Sequence, residues 1–347
     1  MKVWKNLPFT STFKCRAPII SAPMAGVSGG LLAAEVTKAG GLGFIAAGHF
    51  QDVATLETQI KLYIEASGTP SDLAIGFIGF SSLATQSQWE NYDYILRTYR
   101  PKAVQFFAPW IVKNGSGGRS NVELAHSYGS KVLAQVGTLK DAREAIRHGV
   151  DAIMCQGREA GGHGLRREVG NSTLSLASQA AQISSTPIVA AGGITKGQHI
   201  ASALAVGCQA VSVGTRFWAC EESIGDKSLQ KELIKENSCD DVVRTTAFDQ
   251  LNNELSTIKW PKPYDSSGVL RNTITDDWDE RPSSDLQRAM NHSDLLEKYT
   301  AKRGQTATTA IYAGEGVGEV HSIDGAYDTL LRLEQETIEA IERLRSL

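Results

Sequence analysis

Eight short apolar runs separated by segments of helical periodicity narrow most sharply what this chain can fold into. They span 18–24, 42–46, 73–79, 103–107, 131–136, 152–155, 187–191 and 210–213. Each is brief and mostly apolar, as a strand of a parallel sheet is when both of its faces are covered. The intervening segments read as helices. Residues 31–39 end at Gly40-Gly41, a C-cap signal. Asp52 can N-cap a helix carrying Val53, Leu56, Ile60 and Ile64 on one face. Further helices are expected at roughly 83–97, near 120–128, from about Thr138 with Leu139, Ala142, Ala145 and Ile146 aligned, near 173–184, and through Ile200, Ala203 and Leu204 to Gly207. Even spacing of eight such units predicts a (β/α)8 TIM barrel over 1–224. A doubly wound open sheet is the runner-up, disfavoured by the lack of an early GxGxxG.

Beyond the eighth run the texture changes. Residues 225–310 are more polar and lose the alternation, which reads as an inserted cap or small domain against the barrel mouth. Residues 311–347 recover with a glycine turn at 313–318 and a helix over about 326–345, whose apolar face is Leu330, Leu333, Ile338, Ile341 and Leu344. With 41% hydrophobic and 21% charged residues in 347, the chain can build a sizeable core. A net charge of −3 without a basic run gives no electrostatic case for nucleic acid. No stretch of eighteen apolar residues and no apolar leader core are present, so the expectation is a cytoplasmic protein away from the membrane, with a homodimer left open. The five cysteines (15, 155, 208, 220 and 239) are scattered without a CxxC pair, which argues for free thiols and against a metal site.

The sixth run leads into Gln156-Gly-Arg-Glu-Ala-Gly-Gly-His163-Gly164. Glycines let a backbone approach a ligand closely, and an imidazole can move a proton near neutrality. Barrel enzymes act at the carboxyl ends of their strands, so His163 is the candidate catalytic group. Gly192-Gly193-Ile194 and Gly214-Thr215 follow the seventh and eighth runs, where backbone N–H groups, a hydroxyl and a helix N-terminus suit a phosphate. His49 and His126 read as surface residues, and His148, His199, His292 and His321 show no partner spacing. Arg158, Glu159 and Arg166 read equally well as solvent-facing loop charges.

Taken in order and spacing, 17–26, 156–163, 191–194 and 214–217 resemble the nitronate monooxygenase family, formerly 2-nitropropane dioxygenases; Val243-Arg244-Thr245, Trp260-Pro261 and Ala313-Gly314-Glu315 extend the resemblance over most of the chain. The resemblance implies non-covalent FMN in the barrel, with His163 as catalytic base. Gln156, Gly161 and Gly162 would approach the flavin. Gly192, Gly193, Ser212, Gly214 and Thr215 would hold its ribityl phosphate, while Ala22, Pro23 and Met24 would lie along the ring with Gln135 near it. The implied reaction is oxidation of alkyl nitronates, and of nitroalkanes, by O2 to a carbonyl compound and nitrite. One departure stands out. Where the resemblance implies Gly-Val-Asn in the third strand, this chain reads Gly76-Phe77-Ile78, which puts the ring-side hydrogen bond from this position in doubt and reads equally as a more apolar substrate pocket or as a subfamily signature without effect on the reaction. Two other readings keep the fold: an FMN reductase using NAD(P)H on an enoyl-thioester or quinone, and a flavin-free scaffold.

Overall fold

A computed structural model describes residues 4, 7–48, 52–115, 118–256, 259–279, 281–302 and 304–347; the expectation for His49 falls outside these. All eight apolar runs are strands: β1 (Ile19–Ser21), β2 (Leu42–Ala46), β3 (Ala74–Ile78), β4 (Ala103–Phe107), β5 (Lys131–Val136), β6 (Ala152–Gln156), β8 (Ile188–Ala191) and β9 (Ala210–Val213). They pair in parallel in the order β1-β2-β3-β4-β5-β6-β8-β9, and β9 returns to β1 with Ile20 opposite Ser212. The sheet is therefore a closed barrel with helices around it, the (β/α)8 arrangement that the alternation predicts.

Strand period sorts the residues into two layers. Ile20, Leu42, Phe44, Ala103, Leu133, Met154 and Val189 fill the interior, joined by Phe9 and Phe13 of the N-terminal helix Pro8–Phe13, whose rings stack at 4.6 Å. That helix contacts the residues that begin the strands and so closes the end opposite the strand C-termini. Ile19, Ile45, Ile75, Val104, Val132, Ile153, Ile188 and Val211 face outward into the helical shell. At Gly43 a Cβ would lie 1.9 Å from the Ala33 carbonyl oxygen, so only glycine allows the helix Gly30–Lys38 to sit this close to β2.

Local signals explain the helix ends. Asp52 accepts from Thr55 N–H as its N-cap. The helix expected at roughly 83–97 is Gln86–Tyr99, started by the capping box of Thr85 and Gln88, and a separate short helix, Gly79–Ser82, precedes it. The C-terminal helix Ala326–Arg345 buries Leu330 and Leu333 in the main core.

The polar stretch after the barrel is more ordered than its composition suggests. It contributes β10 (Val242–Thr245) and β11 (Ser266–Leu270), which pair antiparallel; β11 also pairs with a short strand β7 (Gly162–Gly164). The glycine-histidine run is thus the edge of a three-stranded sheet rather than a loop, with His163 opposite Ser267. Val243, Phe248, Leu251, Val269, Leu286 and Tyr299 form a separate apolar cluster behind it.

Among the described residues no helix is long and apolar enough to cross a membrane. All five cysteines are free. Burial raises the Cys15, Cys208 and Cys220 thiols to about 12 and pushes that of Cys155 up further, whereas Cys239 is exposed. We expect one thiol in five to react rapidly with a water-soluble disulfide reagent in the native protein and all five after denaturation; rapid native reaction of two or more would contradict this packing.

Candidate active site

Inward-pointing positions near the carboxyl end of each barrel strand open on one cleft. Ala22 beyond β1, Ala46, Gly76, Ala191 and Ser212 supply small groups, and Gln105, Gln135 and Gln156 supply amides. The cleft spans about 1230 Å³ of space between atoms, the open solvent at its mouth included. Every residue singled out in the sequence lines it: Ala22, Pro23, Met24, Gln135, Gln156, Gly161, Gly162, His163, Gly192, Gly193, Ser212, Gly214 and Thr215. Gln105 was missed. Its Nε2 donates to Gln135 Oε1 at 2.6 Å, while its own Oε1 is buried without a partner among the described residues. The available signal was an amide at an inward position of an otherwise apolar strand.

Beyond β8 and β9, the backbone N–H groups of Gly192, Gly193, Gly214 and Thr215 donate to no protein acceptor among the described residues. Gly192 (φ 124°) and Gly193 (φ 70°) hold conformations that suit glycine. The Thr215 hydroxyl oxygen accepts from Gly314 N–H at 3.0 Å, which ties the glycine turn of the tail to this corner. Unpaired N–H groups clustered at two strand ends make an anion cradle. One expectation needs correction. The helix after β8 begins only at Gly197, whose N–H is taken by Glu336 Oε2 at 2.8 Å, so that helix terminus is capped from within the protein.

On the other side stands His163, its side chain 14% exposed. Its Nε2 lies 2.8 Å from Asp249 Oδ1, and the Trp260 ring stacks on it at 3.8 Å and 7°. Tyr312 is tilted against it at 5.7 Å. Nothing in the sequence pattern points to Asp249, 86 residues away.

The charges near the motif prove to be fasteners. Arg166 makes a bidentate pair with Asp265 at 2.7 and 2.5 Å, and Glu159 Oε1 accepts from Thr173 N–H at 3.1 Å. Arg244 of β10 donates to the carbonyls of Arg158 (3.1 Å), Ala160 (2.5 Å) and Ser266 (3.2 Å). Burial lowers its guanidinium to about 10. Gly161 has no room for a side chain, since a Cβ would lie 2.5 Å from the Ala313 carbonyl carbon.

Ile78 lines the cleft with Phe77, Phe107, Trp260 and Tyr312. Phe80 packs on Trp260 at 4.9 Å and Tyr264 on Phe107 at 5.4 Å. Among the described residues lining the cleft there is no lysine, arginine, aspartate or glutamate. The wall beside His163 is thus aromatic and uncharged.

Fold and cleft together define a (β/α)8-barrel enzyme. The nitronate monooxygenase profile matches residues 7–335. A nitronate monooxygenase of Neurospora crassa is 30% identical, covering 94% of this chain and 91% of its own. The nitronate monooxygenase npaC of Metarhizium robertsii is 34% identical over 93% and 90%. Among solved structures, a nitroalkane oxidase from Streptomyces ansochromogenes superposes with a TM-score of 0.75 at 25% identity over 96% of this chain and 99% of its own. FabK from Thermotoga maritima shares the fold at a TM-score of 0.74 and 23% identity, over 98% and 99%. The chain belongs to the nitronate monooxygenase family.

Proposed function

We propose that this protein is an FMN-dependent oxidase of alkyl nitronates, and of the nitroalkanes from which they form. The residues present fit that cofactor. The unpaired N–H groups of Gly192, Gly193, Gly214 and Thr215 would receive the phosphate, with Ser212 beside them. The run of small groups from Ala22 to Met24 would lie along the ring system, with Gly161 and Gly162 close by. Gln135, whose Oε1 is occupied by Gln105, keeps its Nε2–H groups for ring oxygens or nitrogens. Gln156 donates one Nε2–H to the His163 carbonyl at 2.9 Å, which holds β7 against the barrel, and lines the cleft where it would approach the flavin.

Bound FMN supplies the electron acceptor that protein side chains lack, with O2 as the final oxidant and nitrite and a carbonyl compound as products. The chain's own contribution is binding, orientation and proton transfer. His163 stands at the cleft with a ring nitrogen that can take the Cα proton of a neutral nitroalkane, leaving the electron pair on the nitronate. The aromatic wall excludes water and accepts an alkyl substituent. With no cation lining the cleft, carboxylated nitronates should be poor substrates relative to neutral-chain ones.

The observation that carries this reading is one cleft holding both the N–H cradle and a hydrogen-bonded histidine. The test is to purify the protein, record its visible spectrum, identify any released chromophore by mass, and follow oxygen and nitrite with ethyl nitronate. Flavin bands, released FMN and nitrite formation are expected. A colourless protein that neither takes up FMN nor forms nitrite would overturn the proposal.

A further inference from the structure

Asp249 sits in the first turn of the helix Ala247–Leu255, a segment outside the barrel, and is only 5% exposed. Its Oδ1 lies 2.8 Å from His163 Nε2. Its Oδ2 is buried with no hydrogen-bond partner, and no lysine or arginine pairs with this carboxylate among the described residues. A buried carboxylate with one oxygen unpartnered costs folding energy, and an apolar residue of similar size would pack at least as well. Stability alone therefore gives no reason for an acid here.

Its chemical consequence is specific. A carboxylate only accepts, so the hydrogen between the two groups belongs to Nε2. Nδ1, which makes no hydrogen bond among the described residues, then keeps its lone pair. Trp260, stacked at 3.8 Å and 7°, fixes the plane of the ring and thus the direction of that lone pair. We propose that Asp249 is a positioning residue that holds His163 in the Nε2–H tautomer, with Nδ1 as the atom that takes the substrate proton. This rests on the reading of His163 as the base. In the step, the Cα–H bond of the nitroalkane breaks and an Nδ1–H bond forms; the bonding pair stays on the nitronate. The imidazolium so formed keeps its Nε2–H on the carboxylate, whose negative charge offsets the new positive one.

The test compares D249L, D249N and H163A with the parent holoenzyme on neutral nitroethane and on preformed ethyl nitronate. D249L should lower kcat on nitroethane by at least about 30-fold with KM little changed, while the preformed anion keeps turnover within threefold. D249N, whose amide oxygen can still accept from Nε2–H, should retain more of the nitroethane rate than D249L. A second readout needs neither cofactor nor turnover. With 15N-labelled histidine, the His163 signals (identified by their absence in H163A) should report a proton on Nε2 in the parent and a mixture of tautomers in D249L. A neutral-to-anion activity ratio unchanged in both Asp249 variants, while H163A shifts it, would overturn the role of Asp249 and leave the base in place. If H163A itself leaves the ratio unchanged, the base assignment falls and this proposal with it. Should D249L fail to fold, D249N and the tautomer of the parent protein decide the matter.

Discussion

Replacing His163 by alanine is expected to cut turnover of neutral nitroethane by about 10²–10⁴-fold, the range a positioned general base contributes. Oxidation of preformed ethyl nitronate should persist within a few-fold of the parent. The asymmetry follows from where the proton is. The neutral substrate must lose its Cα proton inside the cleft, whereas the anion arrives without it. His163 is the one imidazole lining the cleft among the described residues, and no carboxylate or lysine lines it among them. Loss of the imidazole also leaves Asp249 buried without its hydrogen-bond partner, so a fall in thermal stability is expected alongside. Nitrite release from the two substrates at one pH is the measurement, and an equal loss on both would contradict the base role.

The second large effect is expected at Gly214. A Cβ built there meets nothing nearer than Met24 Sδ at 3.6 Å and Ala22 Cβ at 3.8 Å, so the protein itself has room for a methyl group. Its φ of −103° is negative, so no left-handed conformation reserves the position for glycine. Whatever a methyl group displaces at this position is therefore a ligand. Gly214→Ala should weaken FMN binding at least tenfold, about 1.4 kcal/mol, and up to about 3 kcal/mol if a charge-assisted N–H bond to phosphate is lost. The apoprotein should melt within a degree or two of the parent. Titrating apoprotein with FMN by fluorescence quenching measures this; unaltered affinity would move the phosphate away from the corner formed by β8 and β9.

The barrel was legible because its information is local. Eight apolar runs of strand length, each with a helix signal after it, leave little freedom once parallel strands must be covered on both faces. Asp52, the helix from Thr138 and the tail helix were readable for the same reason, since a cap or an apolar stripe is a short-range pattern. The glycine-rich strand ends were also visible, as was His163. What was not legible depends on partners distant in sequence. A strand of sequence Gly-His-Gly has no alternation to read, and β7 exists because β11, about a hundred residues on, pairs with it. Asp249 and Trp260 converge on His163 only through the packing of the inserted stretch. The helix N-terminus after β8 looked free for an anion until the fold brought Glu336 onto it from the tail. Arg166 and Glu159, ambiguous as loop charges, became fasteners once Asp265 and the Thr173 N–H were opposite them.

The central claim is that this cleft oxidises nitronates through a bound flavin, and mixing the loaded enzyme anaerobically with one candidate reductant at a time tests it most directly. Ethyl nitronate alone should bleach the 450 nm band within the time of one turnover, with full colour returning on admission of air, while NADH and NADPH leave the band intact. Rapid bleaching by a pyridine nucleotide, with none by the nitronate, would contradict the account.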